Sequence, residues 1–254
     1  MYLKKNFFYI NNSKIKHGFF TRQNGFSKKQ FRSLNCSISN GDDKKIVLKN
    51  RSIAMTNLNL DKKKLILAKQ THSSKVIRVN KNNLNKNLEA DGMITSLNNI
   101  VLGILTADCA PIFIYDNQKK FICCLHSGWK GTLNNIAKKG VNLFDKYDIK
   151  RSGLIAIIGP CLGKSNYEVD KNFERKFIKK NTRYSKFFRN KNNNKSYFSL
   201  RGLINYQLQE LKIGKIYNIN KDTYNNKSLF FSHRRSFKKG IKTTGRLINL
   251  ISLT

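Results

Sequence analysis

The sequence predicts an α+β fold with mixed β-sheets, and three observations carry that prediction. Short apolar runs rich in β-branched and aromatic residues recur along the chain, and helix-period segments fall among them without strict βαβ alternation. Neither a G-x-G-x-x-G nor a phosphate-loop lysine motif occurs, so the dinucleotide and NTP folds lose their main support. At 254 residues the chain can bury a full core. With no Pro-, Gly- or Ser-rich linker and no internal repeat, it reads as one domain over residues 1–254.

The elements follow in order. Residues 7–10 and 15–21 form an opening hairpin. Residues 42–56 have helical spacing, with Ile46, Val47, Ile53 and Ala54 on one side. Residues 65–69 and 76–79 are strands flanking Q-T-H-S-S, and residues 100–105 are a buried strand. A helix opens at Thr132, with Leu133, Ile136, Ala137, Val141 and Phe144 on its apolar face. Residues 154–158 are a strand, 171–179 and 202–211 are helices, and 216–219, 229–232 and 247–251 close the sheet. Asn-rich residues 80–87 and 190–195 read as surface loops.

The runs P-I-F-I-Y (111–115) and F-I-C-C-L (121–125) are separated by D-N-Q-K-K, a connection of hairpin length. An antiparallel hairpin sets the start of its first strand beside the end of its second. Cys109 should therefore fall across from His126, with Cβ atoms roughly 5 Å apart. At that distance a thiol and an imidazole either share a metal or form a nucleophile–base pair. His72 follows a predicted strand as His126 does, and it reads equally as a third ligand or as a loop histidine with a backbone partner. Two imidazoles and a thiolate suit zinc, with a fourth position left for water or substrate. Copper is the less favoured ion. After His126 the chain turns on Gly128 and Gly131, where a helix start could hold an anion, although ordinary turn chemistry explains the glycines better. His17 reads as structural, and the role of His233 is open.

The formal charge is +36, and the two prolines accompany abundant Lys, Asn and Ile, the residues an A/T-biased genome favours. The basic residues are spread in pairs such as Lys119-Lys120 and Lys138-Lys139, not gathered in one arm, so specific nucleic-acid recognition is not expected. Weak, salt-sensitive adhesion to polyanions is expected. The N-terminal apolar run is too short for a signal peptide, and no stretch approaches bilayer length. Five cysteines without a disulfide framework's spacing read as reduced, and Cys123 and Cys124 as small apolar fillers on opposite strand faces. The chain reads as a soluble cytoplasmic protein with no membrane partner.

A-D-G-M-I-T, T-A-D-C-A-P, L-H-S-G-W-K-G, I-G-P-C-L-G…Y-E-V, F-F-S-H-R-R and T-G-R-L stand in the order and spacing of the YfiH-like, laccase-domain proteins, which the chain resembles from about Gly25 to near its C-terminus. That family was first described as polyphenol oxidases and is read as zinc-dependent purine nucleoside phosphorylases. The resemblance implies a four-layer α/β/β/α sandwich and puts the zinc ligands on His72, Cys109 and His126. It implies phosphorolysis of adenosine, inosine, guanosine and methylthioadenosine, plus deamination of adenosine. Ser73, Ser127, Lys130, His233 and Asp222-Thr223 depart from the usual family residues, and none of these changes removes a ligand. A multicopper oxidase needs a type-1 copper and a histidine-ringed trinuclear cluster, which four histidines cannot supply.

The expected partners are therefore purine nucleosides and phosphate. Arg51, Lys130 and Arg234 lie in or near the motifs and are candidates for phosphate, while Tyr167 and Trp129 are candidates to stack the purine. Asp108 reads either as a proton carrier or as a partner that orients its neighbours. Two other classes compete: a metal-free Cys109–His126 amidase acting on cell-wall precursors, and a non-catalytic basic polyanion binder.

Overall fold

The computed structural model describes every residue except 1, 5, 10–14, 119 and 192–193. In chain order the elements are β1 (Tyr2–Lys4), β2 (Phe7–Tyr9), β3 (Ile15–Phe20), α1 (Lys44–Asn57), β4 (Lys64–Leu67), β5 (Val76–Arg78) and β6 (Gly92–Thr95). They continue as β7 (Ile100–Thr106), β8 (Ala110–Asp116), β9 (Ile122–Ser127), α2 (Trp129–Leu133), α3 (Ile136–Asp145), β10 (Leu154–Ile158), β11 (Glu168–Asp170) and α4 (Lys171–Lys180). The last are β12 (Phe188–Lys191), β13 (Lys195–Phe198), α5 (Leu200–Glu210), β14 (Lys215–Asn218), α6 (His233–Lys238) and β15 (Leu247–Leu253). One sheet has the order β1-β2-β3-β15-β7-β4, the second β14-β10-β8-β9-β6-β5, and a small third sheet β11-β13-β12. The β4–β7, β10–β14 and β5–β6 pairs are parallel and the others antiparallel, so the two large sheets are mixed as expected.

Three apolar clusters set the packing order. Ala54 and Met55 of α1, with Leu58 just past its end, pack on Phe20, Val101, Ile248 and Leu250 of the first sheet. The opposite face of that sheet, with Phe19, Leu102, Ile104 and Ile251, meets Phe113, Tyr115, Cys124 and Ile157 of the second. The far side of the second sheet, with Ile112, Ile114, Cys123 and Leu125, is covered by α3, α4 and α5. Period-2 alternation produces this layering. Cys123 and Cys124 enter different cores, as their adjacency in a strand requires, and burial pushes both thiols up. Buried His17 is edge-on to Phe19 and Phe113, a structural position.

Several expectations need correction. The helix expected from Thr132 starts at Trp129 and is two helices, because Asn135 takes a left-handed φ of 51° and its side chain caps Lys138 N. Asn tolerates that conformation and restarts the helical period. Residues 229–232 are not a strand. Leu229 and Phe230 N–H groups both bond to Asn226 O, the consecutive rings of Phe230 and Phe231 are both buried, and Ser232 caps α6. β15 is central in the first sheet, between β3 and β7. β1, β6 and the β11–β13 sheet were not predicted; the last occupies part of the expected 190–195 loop. Ile10 of the opening hairpin, Lys119 and residues 192–193 lie outside the described residues. Among the described residues no helix is long and apolar enough to cross a membrane.

Candidate metal centre

The β8–β9 hairpin forms with His126 opposite Pro111 and Ser127 opposite Ala110. His126 thus lies inside β9, and Cys109 is displaced by two residues from the expected opposition. Gly128 follows Ser127 where the chain passes Cys109, and a Cβ there would come within 2.8 Å of Cys109 Sγ. Gly128 is required for that close approach. Gly131 sits inside α2, so it is not a turn residue, and α2 is too short to serve as an anion site.

Despite the shifted register, the ligand atoms of His72, Cys109 and His126 lie within 4.8 Å of one another. The two imidazoles are near-perpendicular, with ring centroids 4.9 Å apart. His126 is buried, Cys109 half-buried and His72 exposed, so the cluster is open on one side. The Sγ–N–N donor set and that open side fit a four-coordinate ion with one exchangeable position.

Asp91 organises the cluster, although the sequence reading gave it no role. Fully buried just before β6, it accepts His126 Nδ1 at 2.8 Å and the backbone N–H of His72 at 3.1 Å on Oδ1. Its Oδ2 accepts from Ser73 N at 2.6 Å, Ser73 Oγ at 2.7 Å and Thr71 N at 3.2 Å. One carboxylate therefore closes the 71–73 loop, holds His72 at its left-handed φ of 57°, and orients His126 through Nδ1 so that Nε2 is the nitrogen turned to Cys109. Burial pushes the Asp91 carboxyl up, but the bonds from His126 and Ser73 prevail and hold it well below the usual carboxylate range. The signal available in sequence was A-D-G-M-I-T, read only as a family motif.

The charges of the trio are coupled. Burial raises the Cys109 thiol, but the charge and hydrogen bonds of His126, with a bond to His72, carry it below the ordinary thiol range. Burial lowers His126, and Cys109 and Asp91 together carry it above the ordinary imidazole range. A thiolate at near-neutral pH is the form that binds a metal or attacks a carbonyl.

Asp108, beside Cys109 at φ 83°, accepts Thr223 Oγ1 at 2.6 Å, Ser232 Oγ at 3.0 Å and the Arg234 N–H at 2.6 Å. Its oxygens are committed to strapping the 223–234 segment over the site. Of the two readings, the structure favours the orienting partner over the proton carrier.

The trio lines a cavity of about 610 Å³ with Arg51, His233 and Arg246. Arg51 is tethered through Nε to Cys36 O at 2.9 Å, and Arg246 through Nη1 to Thr244 O at 2.8 Å. Arg246, in T-G-R-L, was missed in the sequence. Tyr167, Trp129 and Arg234 line a different cavity of about 550 Å³, which shares only His233 with the first. Arg234 lies over the Tyr167 ring at 5.3 Å and donates to Glu168 O at 2.7 Å. Exposed Lys130 sits 5.6 Å from the Trp129 ring and is brought to neither cavity. A larger cavity of about 980 Å³ lies elsewhere and contains none of the trio. Donor geometry, not size, marks the candidate centre.

A mixed α/β fold with one open His–Cys–His cluster is the class these observations define. The family described as multi-copper polyphenol oxidoreductase laccase matches residues 16–254, and the chain belongs to that family. It is similar to a purine nucleoside phosphorylase of Rickettsia prowazekii, 32% identical over 74% of this chain and 77% of that protein. A purine nucleoside phosphorylase of Haemophilus influenzae is 30% identical over 91% of each chain. The crystal structure of a hypothetical protein YfiH from Bacillus licheniformis superposes with a TM-score of 0.87 at 29% identity, covering 94% of this chain and 93% of that one. Among the described residues the trio is the one cluster able to hold a metal, which does not meet the ligand requirement of a multicopper site.

Proposed function

We propose that the chain is a zinc-dependent purine nucleoside phosphorylase, acting on adenosine, inosine, guanosine and methylthioadenosine, that also deaminates adenosine. The observation that carries the reading is the approach of His72, Cys109 and His126 ligand atoms to within 4.8 Å in a cavity that also holds Arg51 and Arg246. The names of the relatives support the phosphorylase class. In this reading residues 1–254 form one catalytic domain of a cytoplasmic protein whose partners are small molecules.

His72, Cys109 and His126 would hold the ion, which supplies Lewis-acid polarisation of a substrate or water oxygen. Asp91 keeps Nε2 of His126 available and fixes the His72 loop. Arg51 and Arg246 supply positive charge for phosphate, which attacks the sugar C1′ as the bond to the base breaks. Tyr167 and Trp129 offer aromatic surface for the purine in the adjoining cavity. His233 borders both cavities, where burial and the charge of Arg246 hold its imidazole below the usual range, so in this reading it is a neutral hydrogen-bond partner for the substrate. For deamination, water replaces phosphate as nucleophile and attacks the purine carbon bearing the amino group, whose C–N bond breaks to release ammonia.

A metal-free amidase is the second reading, favoured by the mutual stabilisation of a Cys109 thiolate and a protonated His126. His72 separates the two, since a simple dyad has no use for a second imidazole. Protein purified without chelator should carry near-stoichiometric zinc and lose nucleoside turnover on chelation. Full turnover in rigorously metal-free protein would promote the hydrolase.

A further inference from the structure

The cavity of about 980 Å³ that lies away from the trio is lined by Arg22, Lys28, Lys29, Arg32 and Lys227, and its other lining residues are uncharged. Among the described residues none of these five cations is in an ion pair. Arg22 is fixed: Nε and Nη2 both donate to Arg32 O, and its guanidinium lies 4.2 Å from the Phe231 ring centroid. The loop carrying the other cations is closed on Arg22, whose carbonyl accepts Leu34 N at 2.8 Å and whose N–H donates to Leu229 O at 2.7 Å. That second bond ties the loop to the segment bearing Lys227. Asp42, which accepts from Ser27 at 2.6 Å, is not a lining residue.

Compositional bias explains many exposed lysines, but not five cations converging in one concavity without a counter-charge. Like charges held together repel, and burial with the charges of Arg235 and Arg32 brings the Arg22 guanidinium down to about 10. A bound polyanion relieves that repulsion through charge-assisted hydrogen bonds. No aromatic ring lines the cavity, so base stacking, the usual means of gripping single-stranded nucleic acid, is unavailable. The cations gather around one concavity rather than along an extended track, which suits a compact ligand better than a long strand.

We propose that this cavity is a binding site for a small oligophosphate, a run of linked phosphates either free or carried on a nucleotide. It is separate from the His–Cys–His centre and does not depend on the reading of that centre.

The test uses the full chain and sodium tripolyphosphate, with binding followed by calorimetry at several salt concentrations. The variant Lys28→Gln/Lys29→Gln/Arg32→Gln/Lys227→Gln is compared with Lys138→Gln/Lys179→Gln/Lys180→Gln/Lys212→Gln. The control removes the same charge from exposed positions elsewhere. One-site binding should weaken at least ~10-fold in the first variant and less than ~2-fold in the second, with a shallower salt slope only in the first. Cys109→Ala should bind as the parent does. Adenosine triphosphate competing as tripolyphosphate does identifies the nucleotide-borne source; tripolyphosphate alone, the free one. Equal loss in both quadruple variants, no saturable binding, or an oligonucleotide displacing tripolyphosphate more tightly with increasing length would each overturn the proposal.

Discussion

Asp91→Asn is the most informative single change, because one carboxylate holds two of the three candidate ligands. Asparagine keeps the volume but replaces one acceptor oxygen with a donor NH2. If that amide faces His126 Nδ1, the 2.8 and 3.1 Å bonds to His126 and His72 are lost. If it faces the loop, the 2.6 and 2.7 Å bonds from Ser73 are lost. Either orientation removes at least two charge-assisted bonds at a fully buried position. At about 1.5–3 kcal/mol each, the loss is roughly 3–6 kcal/mol of folding stability. Because the same bonds fix His126 and the His72 loop, zinc affinity should fall about 10- to 100-fold. Denaturant unfolding measures the first quantity and competition with a chromogenic chelator the second. Ser73→Ala, which removes the 2.7 Å hydroxyl contact to Asp91 and the 3.1 Å bond that the Lys75 N–H donates to the same hydroxyl but keeps both bonds of Asp91 Oδ1, should show a smaller loss of the same kind. An Asp91→Asn protein within about 0.5 kcal/mol of the parent and with unchanged zinc affinity would refute the argument.

Cys109→Ser should lower zinc content sharply while leaving the fold intact, since a hydroxyl is a poor substitute for a thiolate; metal analysis and circular dichroism check the two halves. His17 is held by burial at about 4, below its usual 6.5, so the unfolded chain binds the proton first as pH falls. Stability present above pH 6.5 should be lost progressively toward pH 4, by about 3 kcal/mol from this group alone, and His17→Gln should flatten that limb of an acid denaturation series. Arg51→Ala should suppress phosphorolysis and spare deamination, because only phosphorolysis needs bound phosphate; the ratio of adenine to inosine formed from adenosine reads this directly.

Periodicity located most of the large elements. The strand at 154–158 and the start of α4 fell where β-branched runs and helical spacing put them, and the trio was accessible because two histidines and a cysteine stand at ends of apolar runs. The register of the β8–β9 hairpin was not accessible. A hairpin rule that assumes opposition cannot see that Asp108 turns the chain at positive φ before β8 begins. Asp91 escaped notice because a buried acid is significant only through its bonds to residues far along the chain, 18 to 35 positions away. The 229–232 segment misled for a different reason: two adjacent buried phenylalanines resemble a strand, while the Asn226 turn and the Ser232 cap that define the segment are ordinary polar residues. Lys130 and Arg51 were equal candidates in sequence, and tertiary placement alone distinguishes them.

In the proposed function one metal site on His72, Cys109 and His126 supports phosphate-dependent cleavage of purine nucleosides. Its most direct test incubates adenosine with the purified protein, with and without phosphate, before and after metal removal and zinc restoration, and separates the products. Free adenine and ribose 1-phosphate should appear only with phosphate, inosine should appear without it, and both should vanish with the metal and in His72→Ala. Adenine release that proceeds equally without phosphate, or that survives complete loss of the metal, would contradict the account.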